Sequence, residues 1–324
     1  MSAIGNAYGY TSHARHLKEA CARAGVFNDP DSKIAVHIIT PDKFQPIPNK
    51  KNILYTMYEC TTLPSDWIDA IQYADLLIVP CKQNKELFAN YYKGPIEVVW
   101  EGVDVFDFPY VERKMPLVQP FMFLWVGAPN PRKGFEYVGA AWDNWILRGD
   151  MPNNVLLYCK TSGVKAGEQV IPKPKSKTII DTRNLDIPQL FELYKRANAF
   201  LLPSMGEGFG LTLAEAMSTG LPCVFTPWGG PRDFCSSGEG YPVKWKFRNV
   251  KTLKFTPTGD MVPYHESCAA SADVSDVLKQ MKRIYYGYEH ALDKGKKAAA
   301  RIRAGFTWEH SANSFIKVLE KYAS

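Results

Sequence analysis

The chain has 324 residues, 46% hydrophobic and 22% charged, a balance that suits folded domains and excludes a mostly disordered polymer. No apolar run approaches the ~18 residues of a membrane-crossing helix, and the N-terminal stretch MSAIGNAYGYTSHARHLKEA lacks the layout of a secretion signal or lipid anchor. The formal net charge of +6 is uneven: residues 1–110 carry 10 Lys and Arg against 13 Asp and Glu, whereas residues 111–324 carry 29 against 20.

In chain order, short apolar β-rich runs fall at 33–40, 52–58, 74–80 and 96–100, separated by helix-like stretches at 13–24, 65–73 and 84–92. Runs this continuous suit parallel strands buried on both faces. VERKMPLVQP, with two prolines and mixed charge, reads as a linker. The pattern then restarts with strands at 121–127, 154–160, 177–181, 199–204 and 222–227, and helices over 134–148, 187–196 and 211–219. Residues 161–177 read as a surface loop, and 236–262 as a loop or short hairpin. Helical periodicity returns over 273–300 and in the closing FTWEHSANSFIKVLEKYAS. The expectation is two α/β units in series, 1–111 and 112–303, with a final helix over 304–324 that returns to the first unit.

Seven singly spaced cysteines point to reduced thiols and a cytoplasmic setting, and the six histidines do not join them at metal-ligand spacing. His13 and His16 share a helix face, where packing or capping is the expected role. No metal or cofactor is expected.

The densest site signal is PSMGEGFGLTLAEAMSTGLP, residues 203–222. It leaves a buried strand, passes Gly206, Gly208 and Gly210, and opens a helix near Leu211. Ligands bind at this strand-to-helix edge of a parallel sheet, where a helix N-terminus favours anions. Glu207 and Glu215 gain nothing from a phosphate by charge, so sugar or ribose hydroxyls are their natural partners. The plain alternative is two glutamates favoured by the helix dipole.

GEGFGLTLAEAMSTGLPCV resembles the E-x7-E signature of the family 4 retaining glycosyltransferases, and ADLLIVPCKQNKELF, WEGVD, VGAPNPRKGFEYV, ELYKRANAFLLPS and FTWEHSA resemble further family segments in the family's order. The resemblance spans roughly residues 5 to 315. It implies the GT-B fold, two Rossmann-like domains facing across a cleft, here with a short N-terminal domain. It also implies transfer of a sugar from a UDP- or GDP-sugar to a hydroxyl, with retention and without a metal.

Carried over, Glu207 orients the donor sugar and Glu215 binds the ribose. Gly208 and the backbone of Phe209, Gly210, Leu211 and Thr212 meet sugar and diphosphate beside Gly127, and Lys133 neutralises the leaving diphosphate. Ala128 stands where the family usually has an arginine. Arg132 is the candidate replacement, against a surface-charge reading. Glu59 matches an acidic position near the reacting centre, with Tyr58 where a histidine is usual. Arg183 falls where nucleobase contacts are usual. Gly9, Tyr10 and His13 occupy the acceptor-side loop. Gly229 and Gly230 are expected at the cleft, and Asp233 as the N-cap of a turn.

Three acceptors stay open: a glycan, a lipid-linked glycan reached by peripheral membrane contact through 13–25, and nucleic acid. The last would use KWKFRNVKTLK (244–254) and KPKSK (173–177) as grips on duplex DNA with hydroxymethylated bases. The short first domain favours a large acceptor across an open cleft.

Overall fold

A computed structural model describes residues 8–115, 119–161, 176–250 and 267–323. The first described element is helix α1 (Tyr8–Arg23), followed by β1 (Ile34–Ile38), β2 (Lys51–Tyr55), α2 (Ser65–Ile71), β3 (Leu76–Val79), α3 (Lys82–Phe88) and β4 (Ile96–Val98). These four strands form a parallel sheet in order β1-β2-β3-β4. β3, with every residue buried, shows why the runs lack alternation: helices or chain cover both faces.

The second unit holds β5 (Phe121–Val126), α4 (Phe135–Leu147), β6 (Val155–Lys160), β7 (Thr178–Asp181), α5 (Ile187–Arg196), β8 (Ala199–Leu202), α6 (Leu211–Ser218), β9 (Cys223–Phe225), α7 (Pro231–Phe234) and β10 (Tyr241–Pro242). Its parallel sheet runs β10-β9-β8-β5-β6-β7. The central β5 is buried throughout, under Trp142 and Trp145 of α4. Then come β11 (Trp245–Asn249), β12 (Cys268–Ala272), α8 (Val274–Tyr286), α9 (Tyr288–Gly305) and α10 (Trp308–Ala323).

Three places differ from the sequence expectations. The first helix begins at Tyr8, so Gly9 lies in its opening turn rather than in a loop. The described start of the segment expected as a linker, residues 111–115, is bolted to the second unit. Arg113, 8% exposed, donates to the carbonyl oxygens of Tyr194, Ala197 and Thr219, and burial pushes its guanidinium down to about 10. The region expected as one loop or hairpin is divided: β10 extends the main sheet, while β11 pairs antiparallel with β12. The intervening 251–266, like 162–175 of the expected surface loop, lies outside the described residues.

α10 packs on α1, its Trp308, Ala312 and Phe315 sharing a core with Leu17 and with Ile53 and Ile78 of the first sheet. The chain crosses between units twice at one place. The N–H of Val103 donates to the carbonyl of Phe306 at 2.9 Å, and Val103 bridges Thr307. A Cβ on Gly102 would stand 2.2 Å from the Trp308 nitrogen, so the two crossings touch backbone to backbone.

Candidate active site

The loop after β5 places two cations. Asn130 caps the short turn Pro131–Lys133 by accepting the Lys133 N–H, and Trp125 Nε1 donates to the Lys133 carbonyl at 3.1 Å. Gly134 follows at φ +71°, where a Cβ would lie 2.0 Å from the Pro203 carbonyl oxygen. This tight approach locks the turn against the end of β8. The Met205 N–H donates to the Arg132 carbonyl at 2.7 Å.

Both side chains therefore reach the 203–210 loop. Lys133 Nζ lies 2.9 and 2.8 Å from the two carboxylate oxygens of Glu207. Arg132 Nη1 donates to the Gly206 carbonyl at 2.7 Å and stands 3.4 Å from Glu207 Oε2, while its Nη2 stands 3.4 Å from Glu59 Oε1. The surface-charge reading of Arg132 is thus replaced by a bridging one. Glu207 is 4% exposed. Burial pushes its carboxyl up, but Lys133 and Arg132 outweigh burial and hold it below the ordinary value. Behind it, the Gly230 N–H donates to the Glu207 carbonyl at 2.9 Å.

Gly210 caps α6, so the N–H groups of Leu211 and Thr212 open the helix beside this cluster. Phe209 turns its ring into the core against Phe234 and Phe306, and its backbone packs on Gly230. The Thr212 hydroxyl is buried with no hydrogen-bond partner among the described residues. One turn on, Glu215 Oε2 accepts from the Tyr194 hydroxyl at 3.0 Å. Burial pushes the Glu215 carboxyl up to about 7, against the pull of that hydrogen bond. Gly127 follows β5, its Cβ position 3.2 Å from Lys133 Cβ.

The first unit closes directly onto this loop. A Cβ on Gly206 would lie 2.2 Å from the Glu59 carbonyl oxygen, and one on Gly208 2.5 Å from Met57 Sδ. The two glycines admit the opposite domain on that side. Further hydrogen bonds hold the units together. The Thr61 N–H donates to the Cys268 carbonyl at 3.1 Å, and Asp233 Oδ2 accepts from the Lys82 N–H at 2.9 Å and Trp100 Nε1 at 2.8 Å. Asp233 was expected to cap a turn of its own; it caps α3 of the other unit instead, because α7 faces the start of that helix.

The family model of glycosyl transferases group 1 matches residues 120–250, the stretch that carries Arg132, Lys133, Glu207 and Glu215. A glycogen synthase of Mycobacterium tuberculosis is 31% identical over 248 residues, 75% of this chain and 53% of that protein. The sucrose-phosphate synthase structure from Thermosynechococcus elongatus superposes with a TM-score of 0.65 at 16% identity, covering 98% of this chain and 80% of that one. HepE of Anabaena, in complex with UDP and glucose, gives 0.62 at 14% identity, covering 84% and 72%. Residues 120–250 belong to the glycosyl transferases group 1 family, and the chain has the GT-B fold. The chain spans about half the length of the curated relatives it matches.

Within this group 1 frame, the remaining sequence candidates separate. Arg183 is 73% exposed and paired with Asp181 at 2.7 Å on the edge strand β7, three strands from β8. At ~4.8 Å per strand it stands well away from Glu207. It lines a separate hollow of about 450 Å³ with Tyr158, Leu185 and Arg196. The acceptor-side expectations for Tyr10 and His13 give way to supporting roles. The Tyr10 hydroxyl is buried between Thr56 Oγ1 at 3.1 Å and the Met57 backbone, so it holds the loop that meets Gly208. His13 has no exposed surface: its Nδ1 lies 3.2 Å from Glu101, edge-on to Tyr55. His16 stacks on Trp308. Tyr58 is buried against Trp67, pinned through its backbone by Asn84, and leaves Glu59 as the acidic group of that loop nearest Arg132.

The sequence reading missed Trp100, Lys82 and the β12 contact to Thr61. Each is a partner through backbone or an indole N–H, and no spacing announces it. Among the described residues there is no group of three His, Cys, Asp or Glu arranged to hold a metal, and no helix long and apolar enough to cross a membrane.

Proposed function

We propose that this chain transfers a hexosyl group from a nucleoside-diphosphate sugar, UDP- or GDP-linked, to a hydroxyl of a glycan or lipid-linked glycan, with retention and without a metal. The observation that carries the reading is the convergence of Lys133 and Arg132 on Glu207 at the N-terminus of α6. Two fixed cations and free helix N–H groups stabilise a leaving diphosphate. The bond from the anomeric carbon to the β-phosphate oxygen breaks there. The acceptor oxygen bonds to the same face, and its proton passes to the departing phosphate oxygen. Glu207, kept ionised by its cations, accepts hydrogen bonds from the sugar hydroxyls.

On this reading Glu215 takes the ribose hydroxyls and the base extends toward the Arg183 hollow. The complex of HepE with UDP and glucose supports the choice of donor class. The family match and the saccharide synthases among the relatives do not favour duplex DNA as acceptor. The test is a panel of UDP- and GDP-sugars, scored for nucleoside diphosphate release with and without EDTA, with the product anomer read by NMR. The reading predicts release that survives EDTA, an axial donor linkage kept in the product, and loss of about 100-fold or more in Glu207→Ala. An inverted product or EDTA-sensitive release would overturn the retention or the metal independence, respectively.

A further inference from the structure

Beside the Glu207 loop stand three aromatic rings that the donor chemistry does not use. Trp228, Trp245 and Phe247 pack with ring centroids 5.0–5.4 Å apart, the Phe247 ring edge-on to both indoles. Phe247 is 50% exposed and the two indoles are partly exposed. Other aromatics of the chain, such as Phe27 and Phe106, are more exposed, but here three rings are contiguous, and contiguous exposed apolar surface marks an interaction site. The Trp228 indole N–H is buried and has no hydrogen-bond partner among the described residues, so the ring rather than the N–H is what the surface presents.

The trio is braced on the Glu207 loop from two sides. Trp228 precedes Gly229 and Gly230; the Gly230 N–H holds the Glu207 carbonyl, and a Cβ on Gly229 would lie 2.4 Å from that oxygen. Phe247 pairs across the ribbon with Ala270, whose N–H donates to the Met205 carbonyl at 2.8 Å. Two strand spacings, about 10 Å, thus separate Phe247 from the loop. That reach suits an oligosaccharide extending from the reacting centre, not a single sugar.

The ribbon's charge is on its other face. Trp245 and Phe247 alternate with Lys246 and Arg248, and Arg248 turns toward Glu136 of α4, 4.0 Å away. A nucleic-acid strand would need cations among the rings to track its phosphates. An uncharged saccharide needs only ring faces for its C–H surfaces and a polar rim.

We propose that Trp228, Trp245 and Phe247 form a stacking platform for an uncharged oligosaccharide acceptor, binding the units next to the one that receives the sugar. The proposal rests on the transferase reading above and adds the class of acceptor. Its test is titration, followed by tryptophan fluorescence, with maltose, cellobiose and chitobiose, their six-residue homologues, and the oligonucleotide dT12.

The platform predicts that at least one hexasaccharide binds ten-fold or more tightly than its disaccharide. Phe247→Ala and Trp245→Ala should each weaken that binding about ten-fold, and Phe247→Tyr should restore it. Lys246→Ala, one residue away on the opposite face, should leave it unchanged. Phe247→Ala is the decisive variant, since a half-exposed ring is removed without opening a core cavity. Hexasaccharides binding no better than disaccharides, Phe247→Ala binding like the native chain, or dT12 affinity being what the variants lose would each overturn the platform. Nucleoside diphosphate release is scored on the same preparation. Its absence overturns the transferase reading, whereas release without length-dependent binding overturns the platform alone.

Discussion

The carbonyl oxygen of Glu59 occupies the space where a side chain at Gly206 would begin, 2.2 Å from the Cβ position. The loop that carries Glu207 is therefore shaped by the opposite domain as much as by any ligand. Gly208 faces the Met57 side chain rather than backbone, with Sδ at 2.5 Å and Cβ at 3.0 Å. The two glycines should then differ. Gly206→Ala must push the domains apart and is expected to cut activity at least ten-fold, while Gly208→Ala costs less and is rescued by Met57→Ala. Activity and Tm of Gly206→Ala, Gly208→Ala, Met57→Ala and the Gly208→Ala, Met57→Ala double variant check the ranking.

Lys133 and Glu207 form a partly buried pair, and removing one partner strands the other. Lys133→Met leaves Glu207 with Arg132 alone, and a loss of about 3 kcal/mol is expected, read by urea denaturation. In the double variant Lys133→Met, Glu207→Gln, most of that loss is recovered without recovery of activity. A double variant as unstable as the single one would show that the pair is not what holds the loop.

Asp233 joins the domains by accepting from Lys82 and Trp100 with one oxygen. Asp233→Ala should cost about 1–3 kcal/mol and open the cleft. Small-angle scattering should then show a larger radius of gyration, and Trp100 should change its fluorescence. Asp233→Asn, which keeps an acceptor oxygen, should lie between the two.

Glu215 is raised from 4.5 to about 7 by burial. Between those values the folded chain holds a proton that the unfolded chain has released, so this group's contribution to stability falls as pH rises through the window. Glu215→Gln should therefore match the native chain near pH 4 and exceed it at pH 8, by on the order of 3 kcal/mol. Its nucleotide affinity should fall at the same time. Thermal melts from pH 4 to 8 give the first quantity and nucleotide titration the second.

Much of this was legible in the sequence because strands and glycine loops are local. Continuous runs such as FMFLWV announced doubly covered parallel strands, and GEGFG followed by a helical period announced the glycine loop between β8 and α6. The acceptor side was not legible. Tyr10 and His13 looked like loop residues at a cleft, yet helix α1 begins at Tyr8 and turns both inward. The direction of Arg132 was also undecidable from its adjacency to Lys133, since the tight turn at Gly134 sets it. Contacts made by main chain, such as Lys82 to Asp233 or Thr61 to Cys268, leave no mark on residue type.

In the proposed reaction Lys133 and Arg132, on the turn that faces the start of α6, hold the diphosphate. Calorimetric titration of UDP and GDP into the native chain and Lys133→Met measures it directly. The site predicts that one of the two nucleotides binds, with affinity at least ten-fold weaker in Lys133→Met and weakened further by Arg132→Met. Equal affinity in the native chain and Lys133→Met, or no binding of either nucleotide to the native chain, would contradict it.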